Sequence, residues 1–419
     1  ALGFALLREA AVAYYFGAAP ELDAFLVAAS APRVIGATFA TATVGVLVPE
    51  YIHLRDSRGR AAAAQLARRW LGLTFIVTGA AALIVAALPA PVVRAQAPGL
   101  APRQLHLAQG LLRGLCLTAL LLGMAGTTRA ILNANRCFWK PAVQGGVISA
   151  AVVACCAVLA GRIGVWALVA GTLLGAACAL ALQVGHADLR RWAFSTGGPV
   201  VRLPLGFFGL VLGANTANSC SPVVDRWFSS RFAPGTISQL NYATTLFQAP
   251  ALLLMAPLVT FLLPRFSECV TGRDSHGLRR VASKGIVYCL VACVGPAALL
   301  ASFAPDVVAV ALARGKFDAR DAAATATFLR ILSPALLLNS LVWCLSQFLL
   351  ATRRHGLLLF GQIGRLVLKT GAAALLVRSH GANALPLSTL VASAVALPIF
   401  WVLAATAYAR HFSAGKRPR

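Results

Sequence analysis

Six cationic side chains, Arg8, Arg33, Arg113, Arg330, Arg365 and Lys369, stand inside stretches that are otherwise apolar over the ~20 residues a bilayer-crossing helix needs. A charge held at the bilayer centre costs about 2.5–3.5 kcal/mol on insertion scales, so six exceed the ~5–15 kcal/mol net stability of a typical domain. They must snorkel, pair or line water. The acids in or at the edges of these stretches are Glu9, Asp23 and Asp225, too few to neutralise six cations. An excess of guanidinium around water suits an anionic substrate, because the planar fork of Arg engages phosphate oxygens in pairs. Arg113 and Arg330 lie deep in their segments and are expected, with Arg8 and Arg33, to line a cavity. For Arg365 and Lys369, one turn apart, snorkelling competes with a basic strip along one helix face.

Polar uncharged residues cluster in two further segments: Asn215, Thr216 and Asn218, then Asn241, Thr244, Thr245 and Gln248. Such groups serve either as interhelical hydrogen-bond glue or as wet walls, and their density favours walls. Asp23 lies with Glu21 in the first turn of a helix, where the dipole favours acids, with a gate as the alternative. Asp225, beside Arg226, reads as a surface residue or a gate. No histidine falls convincingly inside a span, and no nucleophile–base pair, metal-ligand cluster or phosphate-cradling glycine loop is present, so neither enzyme chemistry, cofactor nor metal is expected. The ten cysteines read as small core residues.

The elements that position these groups follow from composition. Of 419 residues, 59% are hydrophobic and 12% charged, which excludes an ordinary soluble domain. Twelve spans are expected, near 2–17, 22–52, 65–90, 104–133, 139–160, 163–186, 199–228, 236–264, 280–304, 319–350, 355–377 and 385–408. One set of connections, with the C-terminal tail, carries 22 of the 37 Lys and Arg against 9 on the other side, so both ends are expected in the cytoplasm. This topology accounts for most of the +25 net charge without nucleic acid. The start at Ala1 with a short first apolar run suggests that an N-terminal turn is missing.

The chain also repeats itself. Val46-Leu47-Val48-Pro49 is echoed by Phe261-Leu262-Leu263-Pro264, Leu112-Arg113 by Leu329-Arg330, and Ala134-Asn135-Arg136 by Ala351-Thr352-Arg353. Six helices repeated once share one orientation. The expected fold class is therefore all-α: a polytopic membrane protein of about twelve helices in two parallel six-helix lobes. The N-terminal lobe is expected at 1–187, the linker at 188–202 and the C-terminal lobe at 203–419. Parallel-repeat transporters place substrate at the repeat interface and expose it alternately to each side.

Arg8-Glu9-Ala10, Phe16-Gly17-Ala18, Leu22-Asp23-Ala24-Phe25, Val48-Pro49-Glu50, Ala130-Ile131-Leu132-Asn133, Leu240-Asn241-Tyr242-Ala243 and Gly315-Lys316-Phe317 together resemble the lipid II flippase (MurJ/MviN) family across nearly the whole chain. The resemblance implies a V-shaped twelve-helix core with a cationic cavity. Its implied partner is a polyprenyl-pyrophosphate-linked saccharide, flipped from the cytoplasmic to the outer leaflet of the bacterial inner membrane, alongside membrane lipids and a coupling ion. Arg8 matches a cavity arginine of the family, whereas Gly36 and Thr244-Thr245 stand where it has two others. The family commonly carries two further C-terminal helices, and this chain stops at Arg419. Alternative readings are a flippase for a non-peptidoglycan polyprenyl-linked glycan, a drug or cation antiporter of the same superfamily, or a non-transporting scaffold.

Overall fold

A computed structural model describes residues 2–185, 205–272, 274–352 and 354–413. The expected 188–202 linker and the terminal Arg417-Pro418-Arg419 lie outside them. Among the described residues the elements are helices alone: α1 Leu2–Phe16, α2 Pro20–Arg58, α3 Arg60–Ala87, α4 Pro89–Gln96, α5 Pro102–Leu115, α6 Leu117–Ala134, α7 Trp139–Ile163 and α8 Trp166–Val184. There follow α9 Leu205–Ser219, α10 Ser221–Ser229, α11 Thr236–Thr271, α12 Ser275–Ser302, α13 Ala304–Leu312, α14 Ala319–Leu332, α15 Ala335–Ala351, α16 His355–His380 and, after a 3-10 turn, α17 Ala384–Ser413. Local sequence explains many of the starts. Proline opens α2, α4 and α5, and Asp274 and Asp318 cap α12 and α14 by accepting from Gly277 and Asp321 backbone N–H groups at 2.8 and 2.7 Å.

The repeat returns in the element boundaries. Helices α5 and α14 start and end 217 residues apart, and each is followed after a short break by a second helix ending at Ala134 or Ala351. The second pair bends by 46° at its break. Arg113 and Arg330 therefore occupy matching places, in the last turn before the break.

Seven helical segments are long and apolar enough to cross a membrane, or eight if the bent α14–α15 pair is one span. One of the seven, Gly356–Ala409, holds both α16 and α17. The surface chemistry agrees with lipid outside. Phe75, Ile76, Leu83, Val291, Val310, Val367, Leu375 and Trp401 are exposed, while Thr74, Thr78, Thr127, Thr128 and Gln183 are buried.

The chain divides into two compact units. Unit 1 comprises 1–238 with 314–317, and unit 2 comprises 239–313 with 318–419. In unit 1 the long α2 packs on α3, α5, α6 and α9. Small residues allow the close approach: a Cβ at Gly126 on α6 would overlap Ala40 of α2, and one at Gly36 of α2 would crowd Leu122 and Ala119 of α6. Phe208 of α9 seats edge-on against Trp70 and Phe39, at ring distances of 4.9 and 5.2 Å, fixing α9 to this core. Gly171 and Gly175 of α8 face Val152 and Ile148 of α7, the packing role their spacing suggests. In unit 2, α17 packs on α16 and α15, α12 on α15, and Phe266 meets Phe348 edge-on at 5.8 Å.

Candidate functional site

Arg8 lies midway along α1 and turns onto its neighbour Glu9, Nη2 to Oε1 at 2.5 Å. Glu9 is 8% exposed, so this charge-assisted bond holds in a largely dry setting where pairing matters most. Arg33, on α2, lies within electrostatic reach of both Arg8 and Glu9, and Arg226, on α10, within reach of Arg33 and Asp225. Three guanidinium groups and two carboxylates thus gather from α1, α2 and α10 of unit 1. The cluster keeps one net positive charge.

Arg33 heads a stripe along α2 of exposed residues four apart, Arg33, Ala37, Thr41, Gly45 and Pro49, on a helix whose other faces are largely buried. Small residues beyond the arginine leave the stripe low. Gly36, by contrast, is buried against α6, so the position where the resembling family carries an arginine serves packing in this chain.

Asp23 is 2% exposed and its carboxylate is fully engaged. Oδ2 accepts from Gly235 N at 2.6 Å, and Oδ1 accepts from Ser238 N and Oγ at 2.8 and 2.6 Å. Gly235 and Ser238 flank the first turn of α11, so Asp23 caps that helix from a distant part of the chain. Two backbone approaches surround the cap. Gly235, at φ +94°, lies where a Cβ would strike the Ala18 carbonyl, and Gly315, at φ +67°, where one would strike that of Tyr14. Lys316 N donates to the same Tyr14 oxygen at 3.0 Å.

On α9, Asn215 is half-buried and Asn218 exposed; Asn215 and Thr216 donate to the carbonyls of Val211 and Leu212 on their own helix. On α11, Asn241, Thr244, Thr245 and Gln248 share one accessible face while Tyr242, Ala243 and Leu246 are buried, and Thr245 bonds Asn241 of its own helix. Hydrogen bonds of Asn215, Thr216 and Thr245 run to carbonyls of their own helices.

Arg113 is exposed in the last turn of α5. Arg330, exposed in unit 2, donates Nε to the Ala301 carbonyl at 3.2 Å, at the C-terminal end of α12 where the helix dipole favours a cation. Asp225 is half-buried on α10 beside Arg226. Charge counting assigns Arg226 to a connection, and α10 instead carries it into the cluster. Arg129 is likewise overlooked by counting: its Nε is buried within α6 without a hydrogen-bond partner. The signal for both was an arginine within a turn of an expected span edge. Among the described residues no group of three or more His, Cys, Asp or Glu is placed to hold a metal.

The chain is 22% identical over 345 residues to a probable lipid II flippase MurJ of Buchnera aphidicola subsp. Schizaphis graminum, covering 79% of this chain and 66% of that protein. It is 24% identical over 325 residues to the one of Aquifex aeolicus, covering 76% and 63%. The chain therefore spans somewhat less than two thirds of either relative's length. Its fold is similar to a solved lipid II flippase MurJ in an inward closed conformation, with a TM-score of 0.80 at 17% identity over 98% of this chain and 88% of that one. It is also similar to an inward-facing MATE multidrug transporter of the MOP superfamily, with a TM-score of 0.79 at 16% identity over 98% and 95%. The family model described as "Lipid II flippase MurJ" matches residues 12–417, and the chain belongs to that family.

Proposed function

We propose that this protein flips an undecaprenyl-pyrophosphate-linked saccharide, lipid II or a related precursor, from the cytoplasmic to the outer leaflet of the bacterial inner membrane by alternating access, with both chain ends in the cytoplasm. The observation that carries the reading is the cluster of Arg8, Arg33 and Arg226 drawn from three helices, with Glu9 and Asp225 leaving net positive charge. A diphosphate offers the complementary charge and oxygen geometry. A polyprenyl tail needs no polar site and stays in lipid.

In this reading Asn215 and Asn218 on α9, and Asn241, Thr244 and Thr245 on α11, are the residues whose chemistry suits hydrogen bonds to a saccharide. Arg113 and Arg330 add positive potential at matching helix breaks. Asp23, which caps the first turn of α11, is the gate residue of this reading. A cation antiporter is less well supported, because Glu9 is already neutralised by Arg8. Any coupling ion acts through the membrane potential or a gradient, since each charge that crosses contributes about 2.3 kcal/mol per 100 mV.

The test is complementation in cells depleted of their lipid II flippase, with the protein confirmed at the membrane. Growth supports the reading. Lysis despite normal membrane levels, together with inactivity on lipid II in reconstituted vesicles, rejects lipid II as substrate.

A further inference from the structure

Unit 1 holds one arginine that the Arg8–Arg33–Arg226 cluster does not use. Arg129 of α6 is half-buried, and its Nε is buried without a hydrogen-bond partner. A Cβ at Gly36 of α2 would meet Leu122 and Ala119 of α6, and one at Gly126 of α6 would meet Ala40 of α2. Residue numbers therefore rise together along this seam, and the two helices run the same way. Arg129 follows Leu122 by seven residues, about two turns, which puts it on the same α2-facing side of α6. Three residues past Gly126, it stands level with Thr43 of α2, roughly 15 Å from Arg33 along that helix at ~1.5 Å per residue. The buried hydroxyl of Thr43 is also without a partner. Two orphaned donors at one level of one seam mark a place that is short of an acceptor.

The ground between the two arginines is low and accessible. From Arg33 the exposed stripe continues through Ala37, Thr41 and Gly45, with α6 along one flank. On the other flank is α9, whose Val211 lies 3.9 Å from where a Gly45 Cβ would stand. A snorkelling arginine carries its polar atoms out to lipid headgroups, whereas Arg129 keeps Nε buried on the side that faces α2. A guanidinium held this way is stabilised by any anion brought to it, and most by one that accepts two hydrogen bonds. A substrate whose diphosphate rests at Arg33 extends this far only through its saccharide.

We propose that Arg129 reads the charge of the headgroup, binding a carboxylate carried by the saccharide while the Arg8–Arg33–Arg226 cluster holds the diphosphate. The inference rests on the flippase reading above and narrows it to acidic headgroups, the carboxylate belonging either to a peptide attached to the sugar or to an acidic sugar itself. Arg129 is then a specificity residue: it sets which headgroup is preferred and leaves the diphosphate to the cluster.

The test is transport by the purified full chain in vesicles, using two pairs of polyprenyl-diphosphate lipids. One pair is lipid II with free or amidated peptide carboxylates, and the other is a peptide-free glycan ending in a uronic acid or in the matching neutral hexose. Wild type should show a half-saturation about tenfold lower for the free acid in one of the pairs, and that pair names the source of the carboxylate. Arg129→Gln should bring the two members within about twofold of each other, and Arg129→Lys should keep part of the preference. Arg33→Gln should weaken both members alike. Each ratio is taken within one variant, so a loss of folded protein does not move it. Transport of both members without preference in wild type overturns the role of Arg129 and leaves the flippase reading standing, as does an undiminished preference in Arg129→Gln. Transport of none of the four lipids overturns the flippase reading and this inference with it.

Discussion

Oδ1 of Asp23 accepts two hydrogen bonds from one residue, Ser238, through its backbone N–H at 2.8 Å and its hydroxyl at 2.6 Å, across 215 positions of sequence. A carboxylate in the first turn of α2 thereby supplies the cap that α11 lacks in its own sequence. The acid serves two helix termini at once, because it also lies in the favourable end of the α2 dipole.

Asp23→Ala should lower stability by about 1.5–3 kcal/mol, since buried donors lose a charged acceptor. Asp23→Asn, which keeps one acceptor oxygen, should cost about 1 kcal/mol. Thermal unfolding in detergent measures both. If Asp23→Ala unfolds at the wild-type temperature, the carboxylate is not holding α11.

Gly235 and Gly59 separate backbone strain from close contact. Both have positive φ, +94° and +83°, but a Cβ at Gly235 would strike the Ala18 carbonyl whereas nothing lies within 4 Å of one at Gly59. Gly59→Ala should cost only the backbone part, about 1–3 kcal/mol. Gly235→Ala should cost clearly more, and midpoints in matched unfolding scans decide; equal losses would remove the argument for a tight approach at the cap.

The seam between α2 and α6 makes a similar pair with Gly145. Gly126→Ala forces α6 away from Ala40 and should cost about 1–3 kcal/mol as overpacking. Gly145→Ala, on α7 with open space around its Cβ, should be neutral or gain up to about 1 kcal/mol from helix propensity. A destabilised Gly145→Ala together with a neutral Gly126→Ala would mean that the seam is misplaced.

Much of this architecture was legible in the sequence, because lipid enforces it: apolar length gives helices, and the echo of Leu112-Arg113 in Leu329-Arg330 marks the two broken helices. The boundary of unit 1, which reaches Ser238 and takes in 314–317, was not legible, since it arises from contacts such as Asp23 with Ser238 and Tyr14 with Lys316 that join residues far apart in the chain. Within the cluster, Arg8 and Arg33 stand out in the sequence by their cost in lipid. Glu9 was counted only as a scarce acid, because the direction in which Arg8 turns is a packing outcome. Arg226 was hidden by its place near a span edge, and only the break between α9 and α10 shows which side it joins.

Neutralising a structural ion pair and removing a substrate ligand have different signatures. Glu9→Gln frees Arg8 from its 2.5 Å bond, so it should lower stability while leaving substrate binding equal or stronger. Arg8→Gln should weaken binding of the diphosphate, read as a raised half-saturation in vesicle assays. Loss of binding in Glu9→Gln at unchanged stability would reverse these roles.

The most direct measurement is rescue by charge-altered variants of cells depleted of their own lipid II flippase, scored beside the amount of the protein in the membrane. Arg33→Gln and Arg226→Gln are each expected to abolish growth while membrane levels stay near wild type, and Arg33→Lys to retain part of the activity. Full growth with both arginines neutralised would show that the cluster does not hold the transported diphosphate.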